Sequence, residues 1–459
     1  MRKVVFVYCM LLACISFSAN AQQQLAYSFG ETPQTLMLNP GAETNFKYHY
    51  GIPVFSNVSF SAGIKGFDLS ELFLDDNQGF EIKFERLLDR LEETDYINFN
   101  LRIDVLNGGY RYDDRTYLSF GFYEEVDFIA YIPKDIIELG YYGNQRFRDR
   151  SFSFSQVVMK ADVMGVLHAG ISRKVNKRLN IGARVKIYSS SANVETNHNS
   201  GTFTTNEGTN NFLQHSLNNI DTEVRTSGLV DADNQFLENT NGLLSRTFLG
   251  GNLGVGFDFG MTYHFTPQVE FTASILDFGF VRHSSNTRIY TAEGDYTFEG
   301  INFQYDPDNP RDYWQELEDD FDQNVPTTDL ADPYTSWRPM KINAALKYSF
   351  GDIRTKACYT DTYKRYYFTA IGAQVNTIMR PRGPQTALTG FFETSLTPKF
   401  HTRATYTIND FSASILGGGF TFQWGKVNVF GLVDNMLGAR DLLSANNISF
   451  NFGINMVIE

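Results

Sequence analysis

Apolar and polar residues alternate along this chain with a period of two. Ile97, Phe99, Leu101, Ile103 and Val105 are apolar, whereas Asn98, Asn100, Arg102 and Asp104 between them are polar. Val163, Leu167, Ala169 and Ile171 follow the same pattern, as do Leu179, Ile181, Ala183, Val185 and Ile187. Leu253, Val255, Phe257, Phe259, Met261 and Tyr263 extend it, and Ile448, Phe450, Phe452, Ile454, Met456 and Ile458 give its cleanest form. Alternate side chains of a strand point to opposite faces, so each segment predicts a strand with one apolar and one polar side. Soluble strands usually run about 5–6 residues, whereas a tilted membrane strand needs roughly 9–11. Several of these segments are of the longer kind, which predicts an antiparallel transmembrane β-barrel of about 14 strands.

The connections predicted between strands are unequal. Ser172–Arg178 and His264–Gln268 are short, the latter with Pro267 where no ladder donor is needed. Ser189–Arg246 and Arg282–Arg338 are long, polar and without clear periodicity, so they read as surface loops outside the cell opposite short periplasmic turns. Between 342 and 408 five strands are expected, near 342–350, 353–359, 366–376, 388–397 and 400–408. That set leaves the long loops on inconsistent sides, so one of its boundaries is misplaced. Two segments break the β pattern. Phe84, Leu87, Leu88 and Leu91 fall at i, i+3, i+4 and i+7, a helical stripe that either plugs the lumen or packs at a rim. Tyr313 to Phe321 predicts a short acidic helix.

If the apolar parity faces lipid, the opposite parity lines the lumen. The lumen candidates are Arg102, Asp104, Arg184, Lys186, Asp258, Glu270, Lys347 and Arg403, together with His168 and His401. A Lys or Arg facing lipid at mid-membrane costs roughly 2–4 kcal/mol, and none of these lies on the apolar parity of its own strand. On this reading Phe257→Arg impairs assembly and Asp258→Arg is better tolerated. Asp277 alone shares parity with Phe271 and Ala273, which calls for a bulge or a strand end near Leu276. The mixed lumen admits a selective channel for a substrate with an anionic head, or a ladder of charge pairs that fills the barrel and conducts nothing.

Composition narrows the class. Among 459 residues are 41 Phe and 25 Tyr, 15% aromatic in all, yet the mean hydropathy is −0.28. Aromatic girdles outside and polar side chains inside account for both. The net charge of −13, or −15 without Arg2 and Lys3, argues against nucleic acid as a partner. Arg2 and Lys3, the apolar run Val4–Phe17 and Ala19-Asn20-Ala21 read as a signal peptide over 1–21, followed by a barrel domain over 22–459. Leu11-Leu12-Ala13-Cys14 offers a lipobox as the alternative. With Cys9 and Cys14 in the leader, Cys358 remains and no intrachain disulfide is expected. The expected location is the cell outer membrane, after export through the inner membrane and cleavage of the leader.

Chemical motifs are sparse. His49, His168, His198, His215, His264, His283 and His401 show no close metal spacing, and no nucleophile elbow occurs. Asp306, Asp308 and Asp312 resemble the start of a calcium loop, but Arg311 and Leu317 stand where that loop needs Gly and Glu. Neither an enzyme nor a cofactor is expected.

Several short segments carry a resemblance. Gly256-Phe257-Asp258-Phe259-Gly260-Met261-Thr262-Tyr263, Ala273–Phe280, Gly182–Tyr188, Val433–Gly438 and Met37-Leu38-Asn39-Pro40-Gly41-Ala42 resemble an uncharacterised, domain-of-unknown-function family of Bacteroidetes-type outer-membrane barrels. That family is distantly similar to the FadL long-chain fatty-acid transporters and the PorV-type secretion barrels. The resemblance implies a conduit for hydrophobic or amphipathic molecules, or an accessory barrel that docks a secretion-system protein or its cargo. Expected partners are outer-membrane lipid, lipopolysaccharide and a hydrophobic ligand or a secretion-system protein. A soluble or lipid-anchored β protein with adhesive loops is the remaining alternative.

Overall fold

In the computed structural model the alternating segments close into a barrel. The structure describes residues 24–29, 32–74, 76–209, 211–230, 242, 245–300, 312–353, 367–409, 411–412, 415–440 and 444–458. Among these, fourteen strands run antiparallel in sequence order. They are β1 (Tyr48–Gly51 and Val58–Ile64), β2 (Tyr96–Arg111), β3 (Thr116–Tyr131), β4 (Met159–Lys174), β5 (Leu179–Glu207), β6 (Asn252–His264) and β7 (Val269–His283). Then come β8 (Lys341–Ile353), β9 (Tyr367–Arg380), β10 (Gly383–Thr397), β11 (Phe400–Ile408), β12 (Ile415–Trp424), β13 (Val427–Val433) and β14 (Asn447–Ile458). Each strand pairs with the next, and β14 pairs with both halves of β1, so the sheet has no edge. Closure is what a bilayer demands, because no water is there to satisfy an open strand edge.

Burial is inverted relative to a soluble protein. Val185, Phe257 and Phe278 lie side by side across three strands and are 48%, 39% and 52% exposed, whereas Arg184 and Asp258 beside them are 1% and 0% exposed. Among the described residues no helix is long and apolar enough to cross a membrane. This is a barrel of the outer-membrane type, with its polar parity inside.

Among the described residues, the turns β2–β3, β4–β5, β6–β7, β10–β11 and β12–β13 are short and share one rim, and the long connections lie at the other. Among the described residues the stretch between 342 and 408, where five strands are expected, holds four: Lys341–Ile353, Tyr367–Arg380, Gly383–Thr397 and Phe400–Ile408. The expected strand near 353–359 lies, beyond Ile353, outside the described residues. A tight turn at Pro381-Arg382, closed by Gly383 at φ +118°, joins β9 to β10 and is an exception among the connections of the long-loop rim. The irregularity that Asp277 calls for is a bulge: pairing of β7 with β6 slips between Ile275 and Phe278, and Asp277 adopts φ +59° and turns inward.

The long segment Ser189–Arg246 is not merely a loop, which corrects the reading from periodicity. Beyond the barrel β5 continues to Glu207 and pairs with Leu213–Ser227, which pairs with Thr287–Phe298, which pairs with Thr327–Leu330. These strands form a sheet that rises from the long-loop rim. Both of its faces are half-polar, so no alternation announces it. The helices α1 (Thr35–Leu38), α2 (Ser70–Phe73), α3 (Phe80–Arg90), α4 (Lys134–Tyr142) and α5 (Tyr313–Asn324) are all short. The α3 stripe sits at the rim rather than in the lumen, with Leu87, Leu88 and Leu91 packed on Ile132 and Ile137. Helix α5 fulfils the acidic-helix expectation, and Asp312 caps it by accepting from the backbone N–H of Trp314 and Gln315 at 3.2 Å. Asp306 and Asp308 lie outside the described residues.

Candidate functional site

The lumen is occupied by the chain's own N-terminal segment. Leu25, Ala26, Tyr27, Phe29, Leu36 and Met37 are buried inside the barrel although they precede its first strand. Inward cations hold the segment by its carbonyls. Arg403 donates to the carbonyl oxygens of Leu25 (2.7 Å) and Tyr27, Lys347 to that of Ser28 (3.2 Å), and Arg184 to those of Met37 (3.2 Å) and Leu36. Ser274 donates to the Leu38 carbonyl at 2.7 Å, and Thr262 to that of Gly41 at 2.8 Å. A buried carbonyl without a donor is costly, so a polar wall is what allows an irregular segment to sit there.

Glycine sets how closely plug and wall approach. Gly182 and Gly260 face one another across β5 and β6. A Cβ at Gly182 would run into the Pro40 carbonyl, and one at Gly260 into the Asn39 side chain. The Asn39-Pro40-Gly41 run near the start of the chain and the Gly-rich strand segments are therefore two halves of one contact.

Above the plug the inward charges alternate in sign. Arg338 lies between Asp162 (3.3 Å) and Glu125 (2.6 Å), and Lys341 between Glu125 (3.6 Å) and Asp277 (3.3 Å). Lys186 continues the series between Asp277 (2.6 Å) and Asp258 (2.9 Å), and Arg184 closes it on Asp258 at 3.0 Å. Arg380 pairs with Asp127 at the same end. Removing one partner of a buried pair strands the other charge, which costs about 3–5 kcal/mol. Each member of this chain thus fixes its neighbours. A cavity of about 520 Å³ opens over it, lined by Lys160, Glu195, Arg225, Trp337, Arg338 and Arg380.

A second cavity, of about 490 Å³, lies outside the barrel between the rim sheet and α5. Phe203, Leu217, Tyr296, Phe298, Leu317 and Phe321 give it apolar walls, with His215, Glu318 and Asn144 at its polar points. The His215 ring stacks between Phe203 (5.9 Å) and Phe298 (6.3 Å). Its size falls in the range of small-molecule sites, roughly 300–1,000 Å³.

A model of a family of unknown function, DUF5723, matches residues 40–434. The chain belongs to that family. No curated protein matches this DUF5723 sequence at a significant level. Among solved structures it is similar to the toluene transporter TbuX of Ralstonia pickettii, at 10% identity over 97% of this chain and 100% of that one, with a TM-score of 0.43. A FadL homologue of Pseudomonas aeruginosa aligns at 10% identity over 96% and 99% of the two chains, with a TM-score of 0.44. The translocator domain of the autotransporter NalP from Neisseria meningitidis aligns at 8% identity over 90% and 89%, with a TM-score of 0.30.

All eight lumen candidates of this DUF5723 chain are buried. Arg184, Lys186 and Asp258 meet in the charge chain, and Arg102 pairs with Asp104 at 3.0 Å beneath Tyr123. Glu270 and Lys347 pair at 2.9 Å beside Arg403, at the plug. His168 is buried in the wall, and His401 hydrogen-bonds Ser395 at 2.7 Å. Sequence reasoning missed Glu125, Asp127, Asp162, Arg338, Lys341 and Arg380. For the first two a signal existed, since Val126 and Phe128 alternate with them. Arg338 follows a break before β8 and carries no such signal. Asp258 is the shared counter-ion of Arg184 and Lys186, so Asp258→Arg also strands buried charge.

Proposed function

We propose that this protein lies in the outer membrane with its long connections outside the cell, and that it captures a hydrophobic or amphipathic molecule at the rim and conducts it when the plug moves. The observation that carries the reading is the apolar cavity under α5. It joins aromatic walls to the three polar points His215, Glu318 and Asn144, the makeup of a site that orients an apolar body by a polar end. A lumen filled by plug and paired charges is unsuited to free diffusion of ions, which supports a gated conduit over an open pore. The inward residues Arg102, Asp104, Arg184, Lys186, Asp258, Glu270, Lys347 and Arg403 are proposed as the walls of that closed path. The alternative of an accessory barrel draws on the closed lumen alone and leaves the cavity without a role.

The test is binding of the fluorescent apolar probe N-phenyl-1-naphthylamine to the full chain in mild detergent, beside mass spectrometry of what co-purifies from native membranes. Saturable binding near one probe per chain is expected. Leu317→Glu, which sets a charge in the apolar wall, is expected to weaken it at least tenfold without changing heat-modifiable gel mobility. Equal binding by the folded variant overturns the assignment of the cavity.

A further inference from the structure

We infer that Glu43, His264 and Glu270 form a site for a divalent transition-metal ion of the zinc class, which clamps the end of the plug to the barrel wall. Glu43 lies where the plug leaves the lumen for β1. His264 ends β6 and Glu270 is the second residue of β7, and the two face one another across the hairpin turn. One ligand atom from each residue lies within 4.8 Å of the other two. Imidazole with two carboxylates is a donor set that suits zinc and its neighbours better than magnesium or calcium, which prefer all-oxygen shells.

The imidazole geometry points the same way. His264 is 1% exposed, and its Nε2 makes no hydrogen bond although Glu43 Oε2 is 3.1 Å away. The contact is close but misdirected for an N–H donor. Two ligands of one metal ion, each about 2.1 Å from it, stand roughly 3.0–3.4 Å apart at octahedral to tetrahedral angles. The observed pair has that separation. Glu270 approaches the ring at its other nitrogen, with Oε2 3.9 Å from Nδ1, and gives Oε1 to Lys347 at 2.9 Å, so an ion on Nε2 beside Glu43 takes Glu270 as its third ligand once that carboxylate turns toward Nε2. Glu43 also lines a small cleft at the short-turn rim with Arg111, Tyr117 and Lys174, which supplies a route inward. Three ligands from three segments leave room for water and tie residues far apart in sequence.

The experiment uses tag-free full-length protein in detergent, stripped with chelator, desalted and titrated with zinc, with magnesium as control. About one zinc per chain is expected to survive a second desalting, and magnesium none. Glu43→Gln and His264→Gln are each expected to lower zinc affinity at least tenfold. Copper(II) as a spectroscopic probe is expected to show coupling to one imidazole nitrogen, lost in His264→Gln and kept in His198→Gln. His198 is the control because it meets Asp221 and Glu223 on the exposed rim sheet. Heat-modifiable mobility reports folding, and Glu43→Gln carries the test if His264→Gln does not fold. Zinc retained equally by wild type and the folded variants overturns the inference, as does a copper signal that His198→Gln abolishes.

Discussion

Arg403→Met should release the first residues of the plug while leaving the barrel closed. Arg403 is 2% exposed, donates to the Leu25 and Tyr27 carbonyls, and reaches Glu393 at 3.5 Å and Gln374 at 3.2 Å. Methionine fills most of the volume and donates nothing. Two hydrogen bonds from a charged group are worth about 1.5–3 kcal/mol each, so the segment around Leu25 loses on the order of 3–6 kcal/mol. At about 1.4 kcal/mol per tenfold, even the lower figure raises the detached population by roughly two orders of magnitude. The assay is maleimide labelling of Leu25→Cys in a background in which Cys9, Cys14 and Cys358 are Ser, since Leu25 is 1% exposed in the closed state. Labelling should accelerate about a hundredfold in Arg403→Met. Arg111→Met is the control: Arg111 holds Thr44 and Phe46 at the other end of the segment and should leave Leu25 protected. A rise below threefold, with unchanged gel mobility, would refute the claim that the Arg403 bonds hold this end of the plug.

Phe257→Arg places a cation on the lipid face at a cost of about 2–4 kcal/mol, and Asp258→Arg sets a third cation between Arg184 and Lys186. Both should lower refolding yield in lipid vesicles, and normal assembly of Asp258→Arg would show that the charge chain is dispensable. Asp277→Asn keeps a side chain that tolerates φ +59° but removes the charge between Lys186 and Lys341. Urea unfolding in detergent should show a loss of about 3–5 kcal/mol, the scale for stranding a buried partner. Gly182→Val drives side-chain atoms into the Pro40 carbonyl and should raise single-channel conductance in planar bilayers by displacing the plug. Conductance equal to wild type would mean that the plug yields without opening a path.

Plug and charge chain act on different scales. The chain of alternating charges keeps the lumen near neutrality and fixes side chains from six strands, but it consists of wall residues that cannot leave. The plug is held by separate carbonyl contacts along its length, so it is the part we propose to move. In the conduit proposed above, opening would exchange plug contacts for water, and the cations that held the carbonyls would then line the path.

The architecture was legible in the sequence because its cause is local. A strand between lipid and a polar interior must alternate, and Phe257/Asp258 or Val185/Arg184 reveal both faces in adjacent letters. The irregularity at Asp277 could be inferred as a bulge or a strand end, since a charge on the lipid parity needs one or the other, and the structure shows the bulge. The plug could not be inferred. Residues 25–29 and 32–42 have no periodicity, and their burial depends on Arg403, Lys347 and Arg184, which lie far along the chain and meet them only after closure. The same holds for Glu43 and His264, 221 positions apart by number yet 3.1 Å apart in space. The rim sheet was hidden for another reason: with neither face in lipid nor fully in a core, its strands carry no alternating signal. Sequence determined which side chains face in, because the bilayer imposes that residue by residue. Only the closed tertiary structure decided what those side chains hold, because the barrel brings together partners that no local rule connects.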